Sequence, residues 1–280
     1  MLSDEQCTVD DNSRHYTRVT DLFQVILGDH FHWGYFKHPD AALGEAQEAL
    51  IELMLSSVHI TEDTSVLDVG CGIGGTVFYL SERYGCRTVG LTNNTRGLEV
   101  AKARFLKSGV LHPKVDFRFG DALNNGFESD SFDVVIMIET TDLIPDKHAV
   151  LRECHRTLKP GGMLALCDNM SSARQLTLGD MFKYHRSIAA LKRTFGFGEY
   201  ISLSGYRQLA EKAGFREIRC ADLGPNMFPT IGRVIGSIES NRHRMAANPD
   251  EVNDFLTAWT FTTYLWENGF STYGFLRAVK

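Results

Sequence analysis

The stretch Val66-Leu-Asp-Val-Gly-Cys-Gly-Ile-Gly-Gly75 constrains this chain more than any other. An apolar run ends in an acid, then a glycine-rich turn, then a helical pattern. That is how a strand hands a nucleotide-like ligand to a helix N-terminus. Asp68 narrows the ligand. A loop that only cradled phosphate gains nothing from a carboxylate two residues before Gly70. A loop that holds a cationic ligand does.

The surrounding chain alternates apolar runs with helical patterns from about Thr64 to Asp168. Strands are expected at Val66–Val69, Thr88–Leu91, Val115–Phe119, Phe132–Ile138 and Met163–Cys167. Helices are expected at Thr76–Tyr84, Thr95–Lys107 and Asp146–Leu158. Two strands, Val66–Val69 and Phe132–Ile138, lack polar alternation, which suits a parallel sheet covered on both faces. The expected fold is therefore α/β, a Rossmann-like doubly wound sheet with ligands at the strand C-termini. Lys159-Pro160-Gly161-Gly162 reads as a helix stop and a tight turn.

The flanks break this rhythm. Arg18–Leu27 and Ala42–Val58 read as helices before the core. After it, Leu176–Lys192, Ser204–Ala213, Met227–Arg244 and Pro249–Glu267 read as helices, and Phe215–Ala221 and Phe270–Ala278 as strands. The expected organisation has four parts. Residues 1–60 are N-terminal helices covering the cofactor site, and 61–170 are the core. Residues 171–200 and 226–267 form a helical cap, and 201–225 and 268–280 complete the sheet.

Gly70-x-Gly72-x-x-Gly75 also fits a dinucleotide fingerprint. Yet the ribose-binding acid expected about 20 residues later is missing, because the second strand ends Leu91-Thr92-Asn93-Asn94. Asp68 would also face an anionic pyrophosphate. Gly74 makes the turn G-x-G-x-G, which suits S-adenosylmethionine (SAM), a ligand with an ammonium and a sulfonium and no phosphate. The motifs VLDVGCGIGG, GLTNN (Gly90–Asn94), GDA (Gly120–Ala122), FDVVIMIE (Phe132–Glu139) and LKPGG (Leu158–Gly162) stand in the order and spacing of class I SAM-dependent methyltransferases. The chain resembles that family from about Thr64 to Asp168.

The resemblance implies roles. Asp68, Gly70 and Gly72, with Cys71 and Gly74 in the same turn, hold the methionine end. Thr92 and Asn93 meet the ribose, and Asp121 and Ala122 the adenine; a helix N-cap is the other reading of Asp121. Glu139 lies beside the methyl group. Relatives often carry Gln where this chain has Gly97, so no ligand contact is expected from position 97.

Leu27–Phe36, LGDHFHWGYF, is similar to a segment of tocopherol methyltransferases that lies over the cofactor. It makes Tyr35 a candidate to close the cofactor pocket, and His32 and Trp33 candidates to meet the acceptor. The core resembles sterol side-chain and prenyl C-methyltransferases through its IExxxxxPD segment, Ile138–Asp146. Many relatives carry His where this chain has Leu143. An oxygen or nitrogen nucleophile that must lose a proton wants a base; an alkene gives up π electrons and loses its proton later. The missing imidazole tilts the reading toward carbon. Asp142, Asp168, His32 and His185 remain candidates for a base, and a loop acid or helix N-cap is the plain reading of Asp142.

The cap is expected to hold the acceptor through Phe182, His185, Phe195, Phe197 and Tyr200, aromatics that steady a cation in a water-free cavity. The expected catalytic set is Glu139, Asp142, Tyr200 and Asp168. The overall layout resembles terpenoid methyltransferase-cyclases of the teleocidin type, which implies methylation of a prenyl alkene with ring closure to follow. An O- or N-methyltransferase of a polyketide or aromatic product is the first alternative. A cyclase that binds SAM without spending it is the second.

Composition excludes other classes. Net charge is -6, and the basic cluster Arg242-His243-Arg244 reads as a solvated helix face, so no nucleic-acid partner is expected. No apolar run approaches a membrane span, and the acidic start is no signal peptide. A cytoplasmic protein without membrane insertion is expected, and self-association through the N-terminal helix is open. The six cysteines are scattered with no C-x-x-C, so reduced thiols and no metal are expected.

Overall fold

In a computed structural model the described residues are 9–107, 114–196, 198–245 and 249–280. Two helices come first, α1 (Val9–Leu27) and α2 (Leu43–Leu55). The core runs β1 (Ser65–Val69), α3 (Gly75–Tyr84), β2 (Arg87–Thr92), α4 (Thr95–Lys107), β3 (Val115–Phe119) and β4 (Phe132–Ile138). A short 3-10 turn at Thr141–Leu143 leads to α5 (Lys147–Thr157) and β5 (Leu158–Ser171). Then come α6 (Leu178–Lys183), α7 (His185–Phe195), α8 (Leu203–Lys212), β6 (Arg216–Asp222), α9 (Gly224–Met227), α10 (Pro229–Ser240), α11 (Pro249–Glu267) and β7 (Ser271–Val279).

The strands form one seven-stranded sheet among the described residues, in the order β3-β2-β1-β4-β5-β7-β6. The first five are parallel, and β7 runs antiparallel between β5 and β6. This is the Rossmann-like α/β fold with N-terminal and capping helices. Alternate residues of the central strands feed two cores, one per face, because successive side chains point to opposite sides. Val66, Val134 and Ile136 pack with α2, α10 and α11, while Leu67, Val135 and Met137 pack with α5 and α8.

Several boundaries differ from expectation for local reasons. α1 begins at Val9, well before Arg18. The helix expected over Leu176–Lys192 is two, broken at Tyr184 (φ -103°, ψ 18°). The one expected over Met227–Arg244 is shorter at both ends, Met227 itself closing α9. Pro229 starts α10, which ends at Ser240, so Arg242-His243-Arg244 is exposed in a turn and not on a helix face. Lys159–Gly162 belongs to β5 as an excursion. Leu158 pairs with Phe132, and pairing resumes with Met163 opposite Val134, with Gly161 at φ 78° absorbing the bend. Cys71, Cys86, Cys154, Cys167 and Cys220 are free, the first four buried. Cys7 lies outside the described residues.

Candidate active site

The C-terminal ends of β1, β2 and β4 open into one cavity. Its non-atom space is about 1340 Å³ with the mouth included. Its lining has a polar end and an aromatic end. Gly70, Gly72, Thr92, Asn93, Asp121 and Ala122 are at one, and Tyr16, Phe23, Phe31, Trp33, Phe195, Tyr200 and Trp259 at the other; Glu139, Asp142 and Leu143 complete the wall. Three acids line it, and no lysine, arginine or histidine does among the described residues.

The turn after β1 needs its glycines. Gly70, Gly72 and Gly74 all have positive φ (85°, 51° and 81°), and a Cβ on Gly70 would sit 2.2 Å from Thr140 Oγ1. The turn is tied to β2, since the Gly70 and Cys71 amides both donate to the Leu91 carbonyl (2.8 and 3.0 Å). Beneath it, Asp68 is buried (4% exposed) with no hydrogen-bond partner among the described residues, and burial pushes its carboxyl up to about 7. Asp68, Cys71 and Gly74 lie behind the lining; Cys71 packs with Val77, Ala101 and Phe117. Asp121 accepts from the Leu123 amide (2.9 Å), a local turn and not a helix cap. Gly97 is buried, and a Cβ there would meet Gly72 O at 2.8 Å, so no longer side chain fits position 97.

Glu139 sits at φ 50° at the end of β4. Its Oε1 accepts from the Trp33 amide (2.6 Å) and from the Tyr273 hydroxyl (2.9 Å). Burial nonetheless pushes its carboxyl up to about 8, with those two donors opposing the rise. Behind the cavity wall Asp168 is fully buried. Its Oδ2 accepts from Thr141 Oγ1 (2.5 Å) and the Asp142 amide (3.0 Å), and its Oδ1 from the Asn169 amide (2.8 Å). Burial pushes Asp168 up to about 6 against those donors. The Asp142 carboxyl is also raised well above the usual carboxylate range, by burial first and then by the charges of Asp168 and Glu139, and its Oδ1 has no partner.

Helix α1 spans the cavity. Asn12 Nδ2 donates to the Leu143 carbonyl (2.9 Å) and Ser13 Oγ to the Asn93 carbonyl (2.5 Å). On the cap side, His15 Nε2 bonds the Thr194 carbonyl (3.0 Å) and the Tyr16 hydroxyl donates to that of Phe195 (3.2 Å).

Besides Asp68, Cys71 and Gly74, five sequence candidates fall outside the lining. His32 turns back under its own loop: Nδ1 meets the Trp33 carbonyl (2.8 Å), and the ring packs on His30 (centroids 5.3 Å). Burial and then His30 hold its pKa at about 3, so it is a neutral packing residue. Tyr35 is pinned to α2, its amide donating to Ala46 O (2.7 Å), and Trp33 and Phe31 occupy the wall instead. Phe182 and His185 face solvent, because the Tyr184 ring turns inward onto Phe261 and Tyr264. Asp168 stands behind the wall as well, carrying Asp142 in place of touching a ligand. Phe197 lies outside the described residues.

Residues 67–166 match the family model described as a methyltransferase domain. Methyltransferase GfsG of Streptomyces halstedii is 31% identical over 227 residues, covering 80% of this chain and 80% of that protein. The chain belongs to the class I SAM-dependent methyltransferases. Within that family, a sterol 24-C-methyltransferase of Debaryomyces hansenii is 31% identical over 72% of this methyltransferase and 51% of its own length. Curated O- and N-methyltransferases match at comparable identity. The solved mycolic acid cyclopropane synthase CmaA1, in complex with SAH and CTAB, shares the fold at a TM-score of 0.86. It covers 99% of this chain and 100% of its own at 20% identity.

The cofactor of this methyltransferase is SAM, and the cavity fits it. A partnerless buried carboxyl at Asp68 is the counterpart an ammonium requires, and Glu139 offers a second carboxyl near the aromatic end, which a neighbouring cation would ionise. Sequence reasoning missed Asn12, Tyr16, Phe23 and Phe31 in the lining, and Tyr273 behind it.

Proposed function

We propose that this enzyme methylates a carbon of a small hydrophobic acceptor, a prenyl or terpenoid alkene, through a carbocation that can close a ring before losing a proton. The observation that carries this reading is the cavity wall around Glu139, which is aromatic and acidic with no basic side chain among the described residues. Such a wall favours positive charge and offers no imidazole to deprotonate a nucleophile.

When bound, SAM supplies an electrophilic methyl on a sulfonium. Asp68 would hold the ammonium and Glu139 would face the sulfonium. Thr92 and Asn93 would orient the ribose, with Asp121 and Ala122 at the adenine. Trp33, Phe195, Tyr200 and Trp259 would press the alkene against the methyl, and most of the acceleration comes from that positioning. The alkene would give its π pair to that methyl as the sulfonium released it, so that one carbon–carbon bond replaced one carbon–sulfur bond. The charge passes to the neighbouring carbon, where aromatic faces contribute ~0.5–2 kcal/mol each. The cation would then lose a proton to a carboxylate, Glu139 being the acid that the Trp33 amide holds at the aromatic end of the wall, or a second alkene would close on it before that loss.

The O- or N-methylation reading has one observation in its favour, the Asp142 carboxyl in the wall. Against it stands the apolar burial of that carboxyl, whose Oδ1 meets no donor that would favour the ionised form. Incubation with methyl-labelled SAM and prenylated, phenolic and amine acceptors separates the readings. Label on a former alkene carbon, retained in Asp142→Asn, supports carbon transfer. Label only on oxygen or nitrogen, lost in that variant, overturns it. Product formed with SAM left intact would mean cyclisation without transfer.

A further inference from the structure

The short helix α6 carries an apolar face with nothing on it. Leu178 is 85% exposed, Met181 50% and Phe182 83%. They stand at i, i+3 and i+4, one side of the helix. The helix is firmly ended, with Thr177 and Asp180 forming a capping box at its start. It is therefore a built element that presents three large hydrophobes to solvent, which a soluble surface does not do without a partner.

Charge identifies the partner. Residues 172–196 hold five basic side chains, Arg174, Lys183, Arg186, Lys192 and Arg193, against the single acid Asp180. The whole chain has a net charge of -6. Arg193 is paired with Asp254 and Arg174 lies over the Phe270 ring. Lys183 and Arg186 flank the apolar face itself and are exposed. Hydrophobes on one side and cations beside them are the composition of an interfacial helix on an anionic bilayer. A two-fold pairing of this face with its own copy would set basic residues against basic residues.

We infer that α6 docks this enzyme on an anionic lipid surface, inserting Leu178, Met181 and Phe182 at the headgroup boundary while Lys183 and Arg186 meet lipid phosphates. No helix among the described residues is long and apolar enough to cross a membrane, so the attachment is peripheral. The placement has a consequence for supply. α7 joins α6 directly to Phe195 in the cavity wall, and its 11 residues span about 16 Å. An acceptor dissolved in the bilayer would travel one short helix to reach the site.

The test is sedimentation of the full chain with vesicles of phosphatidylglycerol mixed with phosphatidylcholine, against phosphatidylcholine alone, without acceptor. Binding is read without turnover, so its outcome is separate from the choice of acceptor. The expected result is binding to the anionic vesicles that weakens with salt. Leu178→Ser with Phe182→Ser should lower it by about tenfold or more, and Lys183→Glu with Arg186→Glu by more than about tenfold. Both variants should keep wild-type melting temperature, SAM binding and mass in solution. No wild-type binding, or binding by either variant equal to that of the wild type, overturns the proposal. A drop in solution mass in the serine variant also overturns it, assigning the face to a second copy of the chain.

Discussion

The Tyr273 hydroxyl donates to Oε1 of Glu139 at 2.9 Å, joining the last strand to the acid at the end of β4. The Tyr273 ring lies 6.0 Å from that of Trp33, whose own amide bonds the same oxygen. One aromatic pair thus aims the carboxylate and shields it.

Removing that donor should shift titration as well as rate. In Tyr273→Phe the ionised Glu139 loses a charge-assisted hydrogen bond worth about 1.5–3 kcal/mol. Its carboxyl rises further above about 8 in the free enzyme. We expect kcat/KM to fall at least about tenfold and its rising limb to move to higher pH, with melting temperature changing little. A purely structural tyrosine would lower the rate at every pH alike.

On the proposed ammonium contact, Asp68 should set the pH dependence of cofactor binding. Its carboxyl is raised to about 7 in the free protein, and the SAM ammonium selects the ionised form. Affinity should fall as pH drops below about 7, approaching tenfold per unit. Asp68→Asn should bind more weakly and lose this slope. Calorimetric titration of both proteins across the window checks it, and an equal slope in the variant would trace the effect to another group of the protein.

Stability of the free enzyme should decline as pH rises. The carboxyls of Asp168, Asp68 and Glu139 sit at about 6, 7 and 8, above the 3.8 and 4.5 of unfolded Asp and Glu. Between those limits the folded protein holds protons that the unfolded chain has released, so stability is lost from about pH 4 to pH 8. Melting temperature should drop over that range and flatten when SAM is saturating, since its cations favour the ionised acids.

Gly97→Ala should be costly for a buried but unremarkable position. The new methyl would lie 2.8 Å from the Gly72 carbonyl and crowd the Asn94 amide. Overpacking of this kind costs about 1–3 kcal/mol. We expect a lower melting temperature together with weaker SAM binding, because the displaced atom belongs to the cofactor turn.

The core was legible because its signals are local. The glycine turn, the Asn-ended second strand and the uninterrupted apolar runs of β1 and β4 each sit within a few residues. The start of α1 was not. Val9–Thr17 is polar, and its place is fixed by bonds to distant carbonyls such as Leu143, 131 residues away. Tyr273 was invisible for the same reason, being 134 residues from Glu139 on a strand that only the finished sheet brings alongside. Phe182 and His185 misled because their spacing fits a helix facing the pocket, and the break at Tyr184 turns that face outward.

The bridging position of α1 ties catalytic traffic to partial melting. One wall of the reaction chamber is a helix fastened to both banks by side-chain bonds, those of Asn12 and Ser13 to one and those of His15 and Tyr16 to the other among them. Peeling that helix away is a local opening far smaller than global unfolding, and it exposes cofactor and product together. On the proposed mechanism, the same fasteners would set how long the reacting acceptor stays dry and how soon spent cofactor departs. Tightening them would trade throughput for fidelity of the product.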